Sequence, residues 1–291
     1  MSDLPAWEQV LAGPNTAFRL ICPQGRPPFL FPVHSPRKVM PESLLGRAAQ
    51  MEAVRRNLWG FSQNLPPLPT LLYGHRGTGK TSLVMALWNE WTRQRDRQSL
   101  SLLQADKDSI DYLPPLLDLL STLPNLYLLL LDDLAFSEED DGFRKLKALL
   151  DGGIMASPDN VGLVVTSNIR HLVSESRLHA SDSIHPEESR DDALALHDRF
   201  GLTLFFDEPD LNGYFHLVLT KALSAGLIPH IPEDWPSRWN AWQEKSREAL
   251  LEPETPEIRI LMHALRFSRE RASRSGRTSQ QFVDLLRRNM L

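Results

Sequence analysis

The chain is poor in cysteine, in long apolar runs and in export signals. Cys22 is the one cysteine among 291 residues. An internal disulfide is thereby excluded, and a reducing compartment is expected. The longest apolar run, residues 126–131, is far too short to cross a bilayer. The opening residues, MSDLPAWEQVLAG, lack the basic and apolar regions of a signal peptide. A soluble, cytoplasmic protein with no membrane partner is the expectation. No internal repeat or low-complexity tract stands out. The net charge of −5 points to no class of partner, but its distribution is uneven. Residues 259–291 carry eight arginines against two acids, Glu270 and Asp284, whereas residues 132–141 are acidic.

What the chain does contain is a phosphate-binding pattern. Gly74-His75-Arg76-Gly77-Thr78-Gly79-Lys80-Thr81 has the spacing G-x-x-x-x-G-K-[ST]. Leu71, Leu72 and Tyr73 before it can form a buried strand. Leu83, Val84, Leu87, Trp88 and Trp91 after it fall at helical spacing. Strand, loop and helix therefore agree, which a chance glycine-rich turn does not require. The glycines let the backbone curl its N–H groups around an anion. The helix that follows turns its partly positive end toward the same place. Lys80 should reach the β- and γ-phosphates, and the Thr81 hydroxyl should ligate Mg²⁺.

Along the chain, residues 1–43 are proline-rich and show no sustained period, so they read as an irregular arm with one or two short elements. A helix is expected over about 47–63, ended by Pro66-Pro67-Leu68-Pro69. Strands are expected over 70–73, 99–104, 126–131, 161–166 and 202–206, with helices over 80–91, 113–123 and 143–150 between them. Apolar strands alternating with helices define an α/β fold: a parallel sheet sandwiched by helices. From Pro209 the strand signals stop, and residues 214–223, 236–251, 257–272 and 278–289 read as helices. The chain thus divides into an arm (1–43), a nucleotide-binding core (44–208) and an all-helical lid (209–291).

Leu128 to Leu131 followed by Asp132-Asp133 is a Walker B pattern, an apolar strand that delivers carboxylates to the edge where the loop also opens. Asp132 would hold Mg²⁺, and Asp133 would orient or polarise an attacking water. Thr166-Ser167-Asn168 ends another apolar strand. Asn168 can sense a γ-phosphate, and Ser167 or Asn168 would equally suit a helix N-cap. Arg199, in Asp198-Arg199-Phe200-Gly201, can pair with an acid of its own chain or point at a neighbouring subunit's γ-phosphate.

Other features stay open. His171 can report on a phosphate or simply pack. Residues 173–192 form an effector loop or a solvated insertion. Trp235, Trp239 and Trp242 share one helical face and are expected in the lid's core. The arginine-rich end can bind nucleic-acid phosphates or line the nucleotide and subunit interface. The interface is favoured, because no nucleic-acid motif accompanies the arginines.

The motif order resembles the AAA+ ATPases: a Leu44-Leu45-Gly46 lead-in, GHRGTGKT, LLLLDD, VVTSN, DRFG and a helical C-terminal part with Ser275-Gly276-Arg277. The wording LLYGHRGTGKTSLV, LLLLDDLAF, DGGIMASPDNVGLVVTSNIRHLV and RSGRTSQQFVDLL is similar to a bacterial family of AAA+ ATPases of unknown function. The resemblance implies a P-loop NTPase core with a helical lid, ATP and Mg²⁺ as ligands, and nucleotide bound between core and lid. It implies Asp132 as the metal residue and Asp133 in the catalytic-base position, where many AAA+ proteins have Glu. The Asp-Asp form resembles replication initiators and helicase loaders. The resemblance also implies Asn168 as sensor 1, Arg199 as an arginine finger (with His197 the competitor) and Arg277 as sensor 2 (with Arg274 the competitor). Leu45 and Gly46 would flank the adenine.

The leading expectation is a homo-oligomeric ATPase that hydrolyses ATP at subunit interfaces to remodel or load a protein or protein–DNA client. The alternative is a slow-hydrolysing ATP-dependent switch or adaptor. A small-molecule P-loop kinase is a third reading, for which nothing marks an acceptor pocket.

Overall fold

A computed structural model of the chain describes residues 4–14, 16–94, 97–135, 141–151, 158–168, 198–248, 253 and 255–290. It divides into two compact units. The first holds residues 1–75 and 80–206, and the second holds residues 76–79 and 207–291.

The first unit is built on strands that are apolar on both faces. Leu126–Leu131 (β5) and Val161–Ser167 (β6) are buried at every position. Such strands form only where helices cover both sides of a parallel sheet. The remaining strands are Ala17–Ile21 (β1), Phe29–Pro32 (β2), Thr70–Gly74 (β3), Leu100–Ala105 (β4) and Leu202–Phe206 (β7). Their order across the seven-stranded sheet is β2-β1-β4-β5-β6-β3-β7. Every pairing is parallel except that of β1 with β2.

Alternation along the strands divides the core in two. Leu129, Leu131, Leu163 and Val165 face helices Leu4–Leu11 (α1), Leu113–Ser121 (α4) and Asp141–Leu150 (α5). Leu128, Leu130 and Val164 face Ala48–Trp59 (α2) and Lys80–Thr92 (α3). α4 begins with prolines in its first turn, where the missing N–H has no intrahelical partner to lose. α2 ends earlier than its apolar pattern suggests, and residues Gly60–Gln63 continue it as a 3₁₀ turn closed by Asn64 at φ 56°.

The N-terminal arm is a larger part of the fold than its composition suggests. Its hairpin extends the sheet, with β1 parallel to β4 and β2 on the outer edge. Phe18 and Leu20 point into the core while Arg19 between them stays exposed. The period-2 pattern is present but only a few residues long, between prolines.

The second unit contains helices Leu211–Ser224 (α6), Trp235–Glu248 (α7), Pro256–Glu270 (α8) and Gly276–Arg287 (α9). Trp239 packs edge-on against Phe215 at 4.7 Å, and Trp235 and Trp242 join the same core. The three tryptophans thus serve packing, as their spacing indicates.

Candidate nucleotide site

The site forms because β3, β5 and β6 are parallel and end on one edge of the sheet. β3 runs into the loop 74–79, and the loop opens α3 at Lys80. Gly74, Gly77 and Gly79 all take positive φ, at 124°, 76° and 103°. At Gly74 the requirement is also steric, since a Cβ there would lie 2.3 Å from the carbonyl oxygen of Phe206. That carbonyl accepts the His75 N–H at 2.9 Å, which pins the loop's first turn to the end of β7. His75 and Arg76 are exposed, and Thr78 is buried. Lys80 is 6% exposed, and its ammonium donates to the carbonyls of Gly74 and His75 at 2.8 Å each. The lysine is thus folded back onto the end of β3.

One residue beyond, the Thr81 hydroxyl donates to Asp132 Oδ1 at 2.7 Å. Thr166 donates to the same oxygen at 2.7 Å, and Gln104 Nε2 donates to Asp132 Oδ2 at 3.0 Å. Both oxygens of the Asp132 carboxylate are therefore fixed. Asp133 stands at φ 58°, in the left-handed region. This conformation costs an L-residue roughly 1–2 kcal/mol, and Asp and Asn tolerate it better than longer side chains. The Asp133 N–H donates to Thr166 Oγ1 at 2.8 Å, and its carboxylate accepts from the Asn168 amide. Lys80, Thr81, Asp132, Asp133 and Asn168 thus meet on one edge.

Other residues singled out from sequence lie apart from this cluster or are tied elsewhere. Leu45 is half-buried, and Gly46 is exposed at φ 70°. The next residue, Arg47, is buried with its guanidinium 5.4 Å from the Phe206 ring centre, and Gln50 donates to the Phe205 carbonyl at 3.1 Å. The lead-in is thereby tied to the end of β7. Arg199 lies just before β7, and its Nε donates to Asp151 of the same chain. Within the second unit, Gly77 lies against the start of α9. A Cβ on Gly77 would be 2.6 Å from Ser275 Oγ and 3.1 Å from Arg277 Cβ. Ser275 caps that helix by accepting the Thr278 N–H. His171, His197 and the 173–192 loop fall outside the described residues.

Two polar residues of this cluster, Gln104 and Thr166, are given no role by any motif of the sequence. Each is a polar side chain near the end of a mostly apolar strand, which is the signal that could have found them. The residues present suit a nucleotide with a hard cation. The Lys80 ammonium would suit a phosphate, and Thr81 with Asp132 would supply oxygen donors of the kind Mg²⁺ takes.

The fold is a mostly parallel seven-stranded sheet with flanking helices and a helical C-terminal part. The chain belongs to the family described as "Protein of unknown function (DUF815)", whose model matches residues 15–290. Among solved structures it is similar to C. elegans PCH-2, at 19% identity and a TM-score of 0.44. That match covers 82% of this chain and 59% of the PCH-2 chain, so the protein spans less than two thirds of that relative's length. It is also similar to the Aeropyrum pernix ORC1 protein, solved in complex with DNA, at 14% identity, TM-score 0.45, and 84% and 68% coverage. The Thermotoga maritima RuvB Holliday junction branch migration motor matches at 14% identity, TM-score 0.43, and 86% and 72% coverage. No helix among the described residues is long and apolar enough to cross a membrane.

Proposed function

We propose that the protein binds ATP with Mg²⁺ and hydrolyses it as an oligomer of its own chain, to remodel or load a protein or protein–DNA partner. The observation that carries this reading is the meeting of Lys80, Thr81, Asp132, Asp133 and Asn168 on one sheet edge. The N–H groups of residues 74–79 would take phosphate oxygens, and Lys80 would take the β- and γ-phosphates. Thr81 and Asp132 would hold Mg²⁺, which neutralises phosphate charge when bound. Asp133 would orient the attacking water and draw on its proton, while Asn168 fixes the carboxylate's direction. Leu45 and Gly46 would flank the adenine. Arg277 would take a phosphate oxygen, and Arg199 would act on a neighbouring subunit's γ-phosphate. The test is ATP turnover by the wild type, Lys80→Ala and Asp133→Asn. Turnover that both substitutions abolish supports the reading, and a wild type that binds no ATP sinks it.

A second reading is a slow-hydrolysing switch that recruits its partner while ATP is bound. Asp133 favours it. Its carboxylate is one methylene shorter than that of Glu, sits on a left-handed backbone and is already bonded to Asn168. Single-turnover measurement separates the two, since a switch retains ATP for many minutes without a partner.

A further inference from the structure

β6 is apolar and buried through Val165, and then ends in two buried hydroxyl residues, Thr166 and Ser167. Thr166 is 1% exposed. A buried hydroxyl is unfavourable unless bonded, and valine would fill the same volume without that cost. Val164 and Val165 immediately precede it, so the strand has no difficulty with valine as such.

The hydroxyl is committed on both sides. Its proton goes to Asp132 Oδ1 at 2.7 Å, and one of its lone pairs takes the Asp133 N–H at 2.8 Å. The Thr166 carbonyl takes the Leu134 N–H, also at 2.8 Å. One residue of β6 therefore holds three consecutive residues at the end of β5. The middle one, Asp133, is the residue in the left-handed conformation. Strand order explains the placement: β6 lies between β5 and β3, so its tip stands between the acidic pair and the start of α3. Thr81, at that helix start, donates to the same Asp132 oxygen.

The geometry points to Thr166 as a positioning residue of the nucleotide site, setting the cation-binding carboxylate of Asp132 and the backbone of Asp133 with one hydroxyl. This rests on the reading that the site takes ATP and Mg²⁺. Through Thr166, the direction of the metal-holding carboxylate and that of the water-orienting carboxylate are coupled, so a change at one is felt at the other.

The experiment compares Thr166→Val, which keeps the volume and removes the hydroxyl, with Thr166→Ser, which does the reverse. Binding of a fluorescent ATP analogue is titrated in Mg²⁺ and in EDTA. For Thr166→Val we expect EDTA affinity within about twofold of wild type and a loss of about tenfold in the gain that Mg²⁺ confers. Thr166→Ser should stay within about threefold of wild type in both media. A pure packing role gives the opposite order, with Ser worse than Val because of the lost methyl. Should the Val variant fail to fold, Ser is compared with Thr166→Ala, and a Ser variant as impaired as Ala overturns the proposal. A wild type that gains nothing from Mg²⁺ overturns the nucleotide-and-metal reading, and the proposal falls with it. A wild type that does gain, matched by its Val variant, overturns the proposal alone.

Discussion

The Arg199 guanidinium is paired inside its own chain, donating from Nε to the carboxylate of Asp151 just beyond α5. The two side chains are 27% and 45% exposed. An ion pair this open contributes at most about 1 kcal/mol. On the proposed oligomeric reading, Arg199 would exchange this pair for a phosphate on a neighbouring subunit. Arg199→Ala should lower turnover on the order of 1000-fold if it stabilises the transferring phosphoryl group. Asp151→Ala should leave maximal turnover intact and move half-maximal activity to lower protein concentration. Both are read from turnover against protein concentration. A monomer in ATP whose turnover ignores Arg199→Ala would remove the trans role.

Asp133→Asn keeps a side chain that tolerates the left-handed backbone and removes the carboxylate proposed as the base. It should bind ATP within about threefold of wild type and turn over about 100-fold more slowly. Asp133→Glu restores the longer carboxylate of many AAA+ proteins but places it on a backbone at φ 58°. Its stability should fall by about 1 kcal/mol, with no gain in rate. Thermal unfolding and a steady-state assay check the pair. A Glu variant that is both as stable and faster contradicts the backbone explanation for Asp.

Gly74→Ala forces a Cβ against the Phe206 carbonyl, on a backbone that L side chains rarely adopt. The loop can accommodate it only by parting from β7. A loss of about 3 kcal/mol is expected, together with loss of nucleotide binding. Denaturant unfolding gives the first quantity and ATP titration the second.

Trp239 is 2% exposed at the centre of the helical unit. Trp239→Ala should cost about 3–5 kcal/mol. Each unit has its own core, so calorimetry should show an earlier transition for the helical unit while the sheet unit's transition stays in place. A single transition lowered as a whole would mean that the units unfold together.

Arg287 at the end of α9 and Arg288 just after it are exposed. If this end serves the nucleotide and subunit interface, Arg287→Ala with Arg288→Ala leaves duplex-DNA affinity unchanged at every salt concentration. A shallower salt dependence in the double variant would assign them to phosphate contacts.

The parts of the fold legible in the sequence are those whose signal is local and repeated. β5 and β7 match their apolar runs, and α3 follows from the spacing of Leu83, Val84, Leu87 and Trp91. The hairpin of β1 and β2 was not legible, because five and four residues between prolines are too short a pattern. What makes β1 a strand is a partner more than eighty residues away, in β4. The site divides the same way. The loop 74–81 and the acids 132–133 are contiguous motifs. Gln104, Thr166 and Asp151 gain their partners only from strand order and from packing across the first unit, which no local pattern encodes. The left-handed backbone that suits Asp133 to its position is likewise a property of the folded turn.

The most direct test is ATP turnover per subunit across a wide range of protein concentration, with Lys80→Ala as control. An oligomeric ATPase predicts turnover that rises with concentration and is absent in Lys80→Ala. Turnover that stays flat or negligible while ATP remains bound would contradict it and leave the slow switch.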